Sequence, residues 1–259
     1  MDSADILYEV TDGIAVVTIN RPHKKNAMGW GALAQFRDAL RQAAADDDVL
    51  AVVITGAGGA FCAGTDLSEL GETAADRRGG NRDADEWPWM VASCPKPVVA
   101  AIDGPAVGMG ADIATQADLR IASTRARIAW NFVHRGLVPD TGAGSYLLPR
   151  QIGLSNALRL VLSGEFLEAD EALRLGYVME VVAPEELGRR AIDLARRISR
   201  GSPFAARRAK QLIYAGLGRD EAGHLAAHRT ALQECFASAD HKEGVASFIE
   251  RREPRFTGR

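Results

Sequence analysis

The sequence predicts an α/β fold, and three observations lead to that prediction. In the first half of the 259-residue chain, short apolar runs typical of buried strands alternate with segments of helical periodicity. Glycine-rich turns separate these segments, most clearly after the apolar run 98–102. From about Pro184 onward the pattern becomes almost continuously helical. We therefore expect a core of strands and helices over residues 1–190 and a helical region over residues 191–259.

The elements follow this scheme in order. Asp12-Gly13 is a pair that favours a tight hairpin, so the apolar runs 6–10 and 14–19 are expected to pair as antiparallel strands. The rest of the first half is predicted to hold a helix at 28–45, a strand at 49–55, a turn-to-helix passage at 61–70, a polar loop at 72–85, a short helix at 87–94 and a strand at 98–102. The second half is predicted to hold helices at 155–163, 169–175, 185–200, 203–215, 219–237 and 241–252.

Composition excludes several function classes. A net charge of −3 provides no basic surface for nucleic acid, and the paired arginines of the second half lie in helical sequence as solvated charges. No apolar run reaches the roughly 18 residues of a membrane span, and the N-terminus has no leader pattern. Three cysteines without a CxxC pair favour a reducing compartment. We therefore expect a cytoplasmic protein with no nucleic-acid or membrane partner.

The segment from Val98 to Leu148 carries most of the functional information. Its first strand runs into Gly104, Gly108 and Gly110 and then into a helix of small residues, which places free backbone N–H groups at one point. Ile113 stands where a dinucleotide fingerprint needs its third glycine, and the Gly-Lys-Ser/Thr of a phosphate-binding loop is missing. The turn is therefore either a ligand-free connection or a pair of donors aimed at a carbonyl oxygen.

A second turn of the same kind spans residues 61–67. Thr65 or Asp66 is suited to cap the helix that follows, which is the structural interpretation. Two such turns can also direct two N–H groups at one oxygen, as enzymes do for an enolate or a tetrahedral oxyanion.

Two aspartates have an ambiguous role in the sequence. Asp140 follows Gly136-Leu137-Val138-Pro139 and precedes a small-residue helix, so it is either a helix cap or a general acid/base in an apolar pocket. Burial raises the pKa of such a carboxyl group, whereas a helix start lowers it. Asp112, in the first turn of the preceding helix, has the same two interpretations.

Three other chemistries find no support. His224 and His228 are spaced i, i+4, but the residue after the first histidine is Leu225 rather than the glutamate of a zinc protease, so no metal site is predicted. Cys62 has no histidine near it in sequence, which disfavours a thiol nucleophile. The G-x-S-x-G elbow of a serine hydrolase is absent.

Taken together, the motifs resemble those of the crotonase (enoyl-CoA hydratase/isomerase) family from Tyr8 to the end of the chain. The resemblance implies a spiral of ββα units, a helical C-terminal trimerisation region, and homotrimers or dimers of trimers. The matching motifs, in the order and spacing of that family, are Asn20-Arg21-Pro22 with Asn26-Ala27, Phe61 to Asp66, Lys96-Pro97-Val98 with Asp103 to Gly110, Gly136 to Pro139, and Ser163-Gly164 with Ala169, Ala172 and Gly176.

The resemblance also implies an acyl-CoA thioester as substrate and no cofactor apart from the CoA of that substrate. The thioester oxygen would be held by the N–H groups of Thr65 and Met109. The CoA nucleotide would lie along residues 24–27 and 63–67, and Trp130 and Phe132 would wall the acyl pocket. The implied substrate-binding residues are Lys24, Asn26, Ala27, Ala63, Gly64, Asp66, Leu67, Gly108, Trp130 and Phe132.

The reaction is predicted from the carboxylates. Hydratases of this family use two glutamates, whose positions are occupied here by Asp112 and Phe132. Asp140 matches the acid/base of the family's enoyl-CoA isomerases, including those of phenylacetate breakdown, so an isomerase with Asp140 as proton carrier and Asp112 as helper is expected. The alternatives are a hydratase in which Asp112 and Asp140 share the work, a dehalogenase-like enzyme attacking through Asp140, and a non-catalytic acyl-CoA-binding homologue.

Overall fold

The computed structural model of the chain describes residues 4–66, 68 and 89–259. Its largest sheet has six strands in the order β1-β2-β3-β4-β6-β9. The first pair is antiparallel, and the other neighbours run parallel. A second sheet has three strands in the order β5-β7-β8. The strands are β1 Ile6–Thr11, β2 Ile14–Ile19, β3 Ala51–Gly56, β4 Val98–Ile102, β5 Pro105–Val107, β6 Leu119–Ser123, β7 Arg127–Ala129, β8 Leu167–Glu168 and β9 Val181–Val182.

Ten α-helices connect and flank these strands in the described part of the chain. Short 3-10 helices lie at Pro22–Lys24, Asn131–Arg135 and Pro184–Glu186. The α-helices are α1 Trp30–Ala45, α2 Met109–Gln116, α3 Ala143–Tyr146, α4 Leu148–Ile152, α5 Leu154–Ser163, α6 Ala169–Arg174, α7 Leu187–Ile198, α8 Pro203–Gly216, α9 Glu221–Ala237 and α10 Ala239–Glu250.

The strands repeat one arrangement, which confirms the predicted α/β spiral of ββα units. β4 lies in the six-stranded sheet, β5 in the three-stranded sheet, and α2 follows. β6 and β7 repeat this order before the 3-10 helix Asn131–Arg135. One unit earlier, Cys62 forms a parallel bridge with Ala106, so the segment after β3 runs beside β5. Successive units therefore bring their turns together at the same end of the two sheets.

The middle strands of the six-stranded sheet, β3, β4 and β6, are buried on both faces, which explains their continuous apolar runs. Alternate residues of β4 point to opposite sides: Ala100 packs in the cluster that contains α1, and Val99 packs in the cluster that contains α7. The hairpin prediction is confirmed, since β1 and β2 pair in register across Asp12 and Gly13, both at positive φ.

The expected boundary between residues 190 and 191 falls inside α7. Leu187, Ala191, Leu194 and Ala195 are buried on that helix and pack on the sheet, so α7 belongs to the core that was expected to end at residue 190. The helices that follow it are α8, α9 and α10. None of the helices in the described part of the chain combines the length and the apolar composition of a membrane span.

A buried polar contact attaches α8 to the core. Asp118, between α2 and β6, accepts hydrogen bonds from Lys210 Nζ at 2.7 Å and from Tyr214 Oη at 2.9 Å. The same carboxylate accepts the backbone N–H of Val98 at 2.7 Å. The start of β4 and the last turns of α8 are therefore held by one side chain.

Candidate active site

A narrow cleft of about 100 Å³ opens where the turns of successive units meet. It is bounded by the turn at Gly64 and Thr65, the turn at Gly108 and Met109, the 3-10 helix Asn131–Arg135 and the segment that ends at Asp140. Its lining comprises Ala63, Gly64, Thr65, Val107, Gly108, Met109, Asn131, Phe132, Arg135, Leu137 and Asp140.

The two turns are in direct contact. Gly64 has φ +100°, and a Cβ there would lie 2.8 Å from the carbonyl oxygen of Val107, so only glycine allows the two backbones to approach this closely. Thr65 Oγ1 lies 3.9 Å from Met109 Sδ. The predicted meeting of two independent turns at one point is therefore present in the geometry.

Each turn has a backbone N–H that its own secondary structure leaves free. Met109 is the first residue of α2, where N–H groups have no partner within the helix. Thr65 pairs with Met28 in a parallel bridge, whose bonds run from Met28 N–H to Gly64 O and from Asp66 N–H to Met28 O, both at 2.9 Å. The N–H of Thr65 therefore points away from Met28. Among the described residues neither N–H has a hydrogen-bond partner, and both residues line the cleft, so the two donors can bind one oxygen that gains negative charge.

Asp140 lines the same cleft. The helix after it, α3, begins at Ala143 with Gly142 as its N-cap residue and with no side-chain cap, so Asp140 is not a helix cap. Although Asp140 is exposed in the single chain, the surrounding protein reduces the hydration of its carboxyl group and raises its pKa. The backbone N–H groups of Thr141 and of Asp140 itself only partly oppose that shift. A carboxylate of raised pKa is a better base than an ordinary aspartate.

Asp112 lies behind the cleft and not in its wall. It is completely buried, and its carboxyl group accepts hydrogen bonds from the Thr141 hydroxyl at 2.6 Å, the Thr141 N–H at 3.3 Å and the Gly144 N–H at 2.9 Å. Burial raises the pKa of this carboxyl group to about 7, the hydrogen bonds oppose that rise, and the nearby charge of Asp140 adds to it.

The two aromatic residues expected in the acyl wall lie in different places. Phe132 lines the cleft. Trp130 is fully buried and packs edge-on against Tyr177, with ring centroids 5.4 Å apart. It therefore lies behind the cleft wall and not in it, which differs from the expected position. The reason is its packing against Tyr177, which comes from a distant part of the chain.

The segments expected to hold the CoA nucleotide are organised by their own polar contacts. Lys24 Nζ lies 2.5 Å from Asp66, and this contact together with hydrogen bonds from Ser68 lowers the pKa of the Asp66 carboxyl group. Asn26 is completely buried, and its amide group bonds to the backbone of Arg21, Ala57 and Ala60.

The Asn26 side chain therefore shapes the loop instead of facing a ligand. The carbonyl group of Ala27 accepts a hydrogen bond from Arg21. Leu67, the last residue of the expected CoA segment, lies outside the described residues.

The lining also includes residues that sequence reasoning missed. Asn131, Arg135 and Leu137 face the cleft from the 3-10 helix and the turn after it, and Val107 faces it from β5. The signal for the first three was their position between the expected wall residue Trp130 and Asp140. Thr141 and Gly144, the partners of Asp112, had no signal beyond the small-residue run that follows Asp140.

The described residues do not form the site of a cysteine nucleophile or of a metal ion. Burial raises the pKa of the Cys62 thiol to about 12, so this cysteine is not an activated nucleophile. Across residues 4–66, 68 and 89–259, no three His, Cys, Asp or Glu side chains are close enough to hold a metal ion. A larger pocket of about 410 Å³ beside α1 has no carboxylate in its described lining.

Comparison with known proteins places this geometry in a family. The sequence model described as "Enoyl-CoA hydratase/isomerase" matches residues 9–259. A probable enoyl-CoA hydratase from Rhodobacter capsulatus is 37% identical over 256 residues, covering 98% of each chain. A 1,2-epoxyphenylacetyl-CoA isomerase from Escherichia coli K12 is 34% identical over 259 residues, again covering 98% of each.

The similarity extends to three-dimensional structure. The crystal structure of an enoyl-CoA hydratase from Mycobacterium marinum superimposes with a TM-score of 0.90 at 33% identity, covering 99% of this chain and 100% of that one. The match therefore includes the core, the two turns and the C-terminal helices. The chain belongs to the enoyl-CoA hydratase/isomerase family and is an enzyme of that family, whose members act on acyl-CoA thioesters.

Proposed function

We propose that the protein is an enoyl-CoA isomerase that moves a double bond along the acyl chain of a CoA thioester. One observation carries the proposal: of the described residues that line the cleft, Asp140 alone has a carboxyl group, and it shares the cleft with the free N–H groups of Thr65 and Met109. A double-bond shift needs one base that removes a proton at one carbon and returns it at another, whereas hydration in this family uses two carboxylates.

The proposed reaction proceeds in two proton transfers. The thioester carbonyl makes the proton on the adjacent carbon acidic, and Asp140 removes it from a 3-enoyl-CoA. The electron pair moves onto the thioester oxygen, where the N–H groups of Thr65 and Met109 stabilise the enolate. Asp140 then returns the proton at the carbon two positions further along, and the double bond comes to rest next to the carbonyl. No cofactor apart from the CoA of the substrate is needed.

The surroundings of Asp140 support this role. Phe132, at the position of the second hydratase glutamate, presents an apolar ring to the cleft and holds no water by hydrogen bonds. Reduced hydration raises the pKa of Asp140 toward the range in which a base both accepts and returns a proton readily.

The decisive experiment incubates the protein with a 3-enoyl-CoA and, separately, with a 2-enoyl-CoA in D₂O. We expect a shifted double bond and no gain of water. Asp140→Asn removes the base at nearly constant shape, so turnover should fall by about 10²–10⁴-fold while acyl-CoA binding persists. Unchanged turnover in that variant would refute the assignment.

Hydration of a 2-enoyl-CoA is the second candidate, and the hydratase name of the Rhodobacter capsulatus relative favours it. In that reaction Asp112 and Asp140 would share the activation of water. Gain of water from the 2-enoyl substrate would establish it, and binding of both substrates without turnover would instead indicate a non-catalytic acyl-CoA-binding protein.

We also propose that the chain assembles through its C-terminal helices, as a homotrimer or a dimer of trimers. Large apolar side chains are exposed there in the single chain: 85% of Phe248, 73% of Ile249 and 67% of Ile213 are accessible. Light scattering coupled to gel filtration measures the mass directly, and a monomer at micromolar concentration would contradict the proposal. The three free cysteines are the observation that supports a cytoplasmic location.

A further inference from the structure

The side chain of Asp112 connects the two halves of the site. It lies in the first turn of α2, three residues after Met109, which begins that helix and lines the cleft. Across the junction, its carboxyl group contacts Thr141, which immediately follows Asp140, and Gly144 in the first turn of α3. One side chain therefore spans from the helix that carries an oxyanion donor to the turn that carries the base.

The contacts leave neither oxygen of this carboxyl group without a donor. Oδ2 accepts both the hydroxyl and the N–H of Thr141, and Oδ1 accepts the N–H of Gly144. The Thr141 hydroxyl also accepts the N–H of Ala143 at 3.2 Å, so the bonds extend through the whole turn before α3. We call Asp112, Thr141 and Gly144 the Asp112 cluster.

Close packing separates the Asp112 cluster from the cleft. Asp112 has no exposed surface and does not line the cleft. A Cβ added to Gly144 would lie 2.9 Å from Asp112 Oδ1 and 2.8 Å from Trp130 Cδ1. No space for a substrate atom exists on that side of the carboxyl group.

We propose that Asp112 is a positioning residue, which fixes Asp140 relative to the Met109 N–H by accepting the hydrogen bonds of Thr141 and Gly144. The inference rests on the proposed function, in which Asp140 is the base. Asp112 occupies the position of one of the two hydratase glutamates, and here its task would be structural and not proton transfer. A proton carrier and the oxyanion donors must be aligned to within a fraction of an ångström, so a tertiary contact beside Asp140 acts on the rate.

The test compares kcat and KM of three variants on a 3-enoyl-CoA. Asp112→Asn and Thr141→Val each remove the charge-assisted bond at nearly constant shape. We expect kcat to fall about 10–100-fold in both, with KM within about threefold of the wild type, because the binding surface is untouched. Thr141→Ser keeps the hydroxyl and should restore most of the rate.

Thr115→Val is the matched control. Thr115 is also a buried threonine, its hydroxyl bonds to Ala111 O and Tyr177 Oη, and it contacts neither Asp112 nor the turn of Asp140 in the described hydrogen bonds. Loss of this hydroxyl should lower the midpoint of thermal unfolding and leave kcat unchanged. A double variant of Asp112→Asn and Thr141→Val should be no slower than the slower single variant, because both act through one contact.

The pH profile distinguishes positioning from proton transfer. Among the described residues, the titratable groups that act on Asp112 are Asp140 and Tyr177, and burial raises the pKa of Tyr177 to about 12. The acid limb of kcat/KM should therefore persist in Asp112→Asn, since Asp140 still titrates.

Two results would overturn the inference. In the first, Asp112→Asn is as inactive as Asp140→Asn, whereas Thr141→Val turns over normally. That result would make Asp112 a proton carrier. The other is a wild-type kcat in all variants. If Asp112→Asn fails to fold, Thr141→Val decides the question by itself. Failure of the proposed function has a different signature, namely full activity of Asp140→Asn.

Discussion

Two buried aspartates each hold together one region of this molecule, and the surroundings act differently on the charge of the two carboxyl groups. Asp112 holds the turn of Asp140 through one hydroxyl and two N–H groups. Asp240, in the first turn of α10, is 1% exposed and forms a second set of contacts, the Asp240 cluster. Its carboxylate accepts hydrogen bonds from the Ser202 hydroxyl and from the backbone N–H groups of Phe204, Thr257 and Gly258.

The pKa values of the two carboxyl groups move in opposite directions. Burial raises that of Asp112 to about 7, and the nearby Asp140 adds to the rise. Burial also acts against ionisation of Asp240, but its four hydrogen bonds outweigh that effect and lower its pKa. A buried carboxylate with several hydrogen-bond donors therefore stabilises the fold at Asp240. At Asp112 the surroundings favour the protonated form, so the charged form costs free energy. Such a cost is typical of residues that serve a site.

The largest effect that separates the two regions is expected from a glycine near Asp112. A Cβ on Gly110 would lie 2.1 Å from the carbonyl oxygen of Cys62, which is backbone and cannot rotate away. Gly110→Ala should therefore lower the free energy of unfolding by about 3 kcal/mol or more. Urea unfolding measures this, and a midpoint equal to that of the wild type would mean that the segments around Cys62 and Gly110 separate easily.

Removal of the Asp240 carboxylate should rank next. Asp240→Ala leaves four donors without their acceptor and releases the contacts of Thr257 and Gly258, so we expect a loss of about 2–4 kcal/mol. The kcat of the folded protein should change little, since this cluster lies in the C-terminal helices. Thermal unfolding and steady-state kinetics on the same samples separate the two quantities.

The pH dependence of stability should differ in sign between the two residues. The folded-state pKa of Asp112 is raised, so the folded protein binds the extra proton between pH 4 and pH 7, and this residue lowers stability as pH rises through that window. Asp112→Asn should remove this pH dependence, in which the free energy of unfolding changes by on the order of a few kcal/mol across the window.

The folded-state pKa of Asp240 is lowered, so its contribution is present above about pH 4 and disappears as pH falls below that value. The cost of Asp240→Asn should accordingly be greatest at neutral pH. Urea titrations at several pH values compare the two variants, and parallel curves would show that the two carboxyl groups are electrostatically equivalent.

The smallest effect concerns Gly244 in α10, the counterpart of Gly110 in the second region. The nearest atoms to a Cβ there belong to the Phe256 ring, at 3.6 Å, which is an ordinary contact. Gly244→Ala should therefore stabilise the helix by about 0.5–1 kcal/mol. A destabilised Gly244→Ala variant would indicate that the packing between α10 and the C-terminal segment is tighter than the distances indicate.

The sequence predicted what depends on neighbours in the chain. The hairpin turn follows from Asp12-Gly13, and the start of α8 at Pro203 follows from a serine cap before a proline at the first helical position. The turn at Met109 was predictable because a strand, glycines and a helix of small residues stand in immediate succession. Asp140 stood out because an apolar segment delivers it to the next such turn.

What could not be predicted depends on contacts distant in sequence. Asp112 bonds to residues 29 and 32 positions later, and no local pattern distinguishes a catalytic aspartate from one that holds a turn. The family resemblance placed Trp130 in the acyl wall, but the ring packs against Tyr177 in the core. The helix α7 belongs to the core because it packs on one face of the sheet. The composition shift near Pro184 does not reveal that contact.

The helix α2 has a consequence for how salt should affect the protein. Asp112 lies in its first turn, and the buried guanidinium group of Arg120 donates to the carbonyl oxygens of Ala114 and Ala117 at its other end. Both ends of the helix dipole are therefore met by an opposite charge inside the protein. A charge that develops on a bound thioester is then stabilised by the adjacent N–H groups and little by any long-range field. Since exposed charges are screened and these are buried, the rate of the chemical step should be nearly independent of ionic strength.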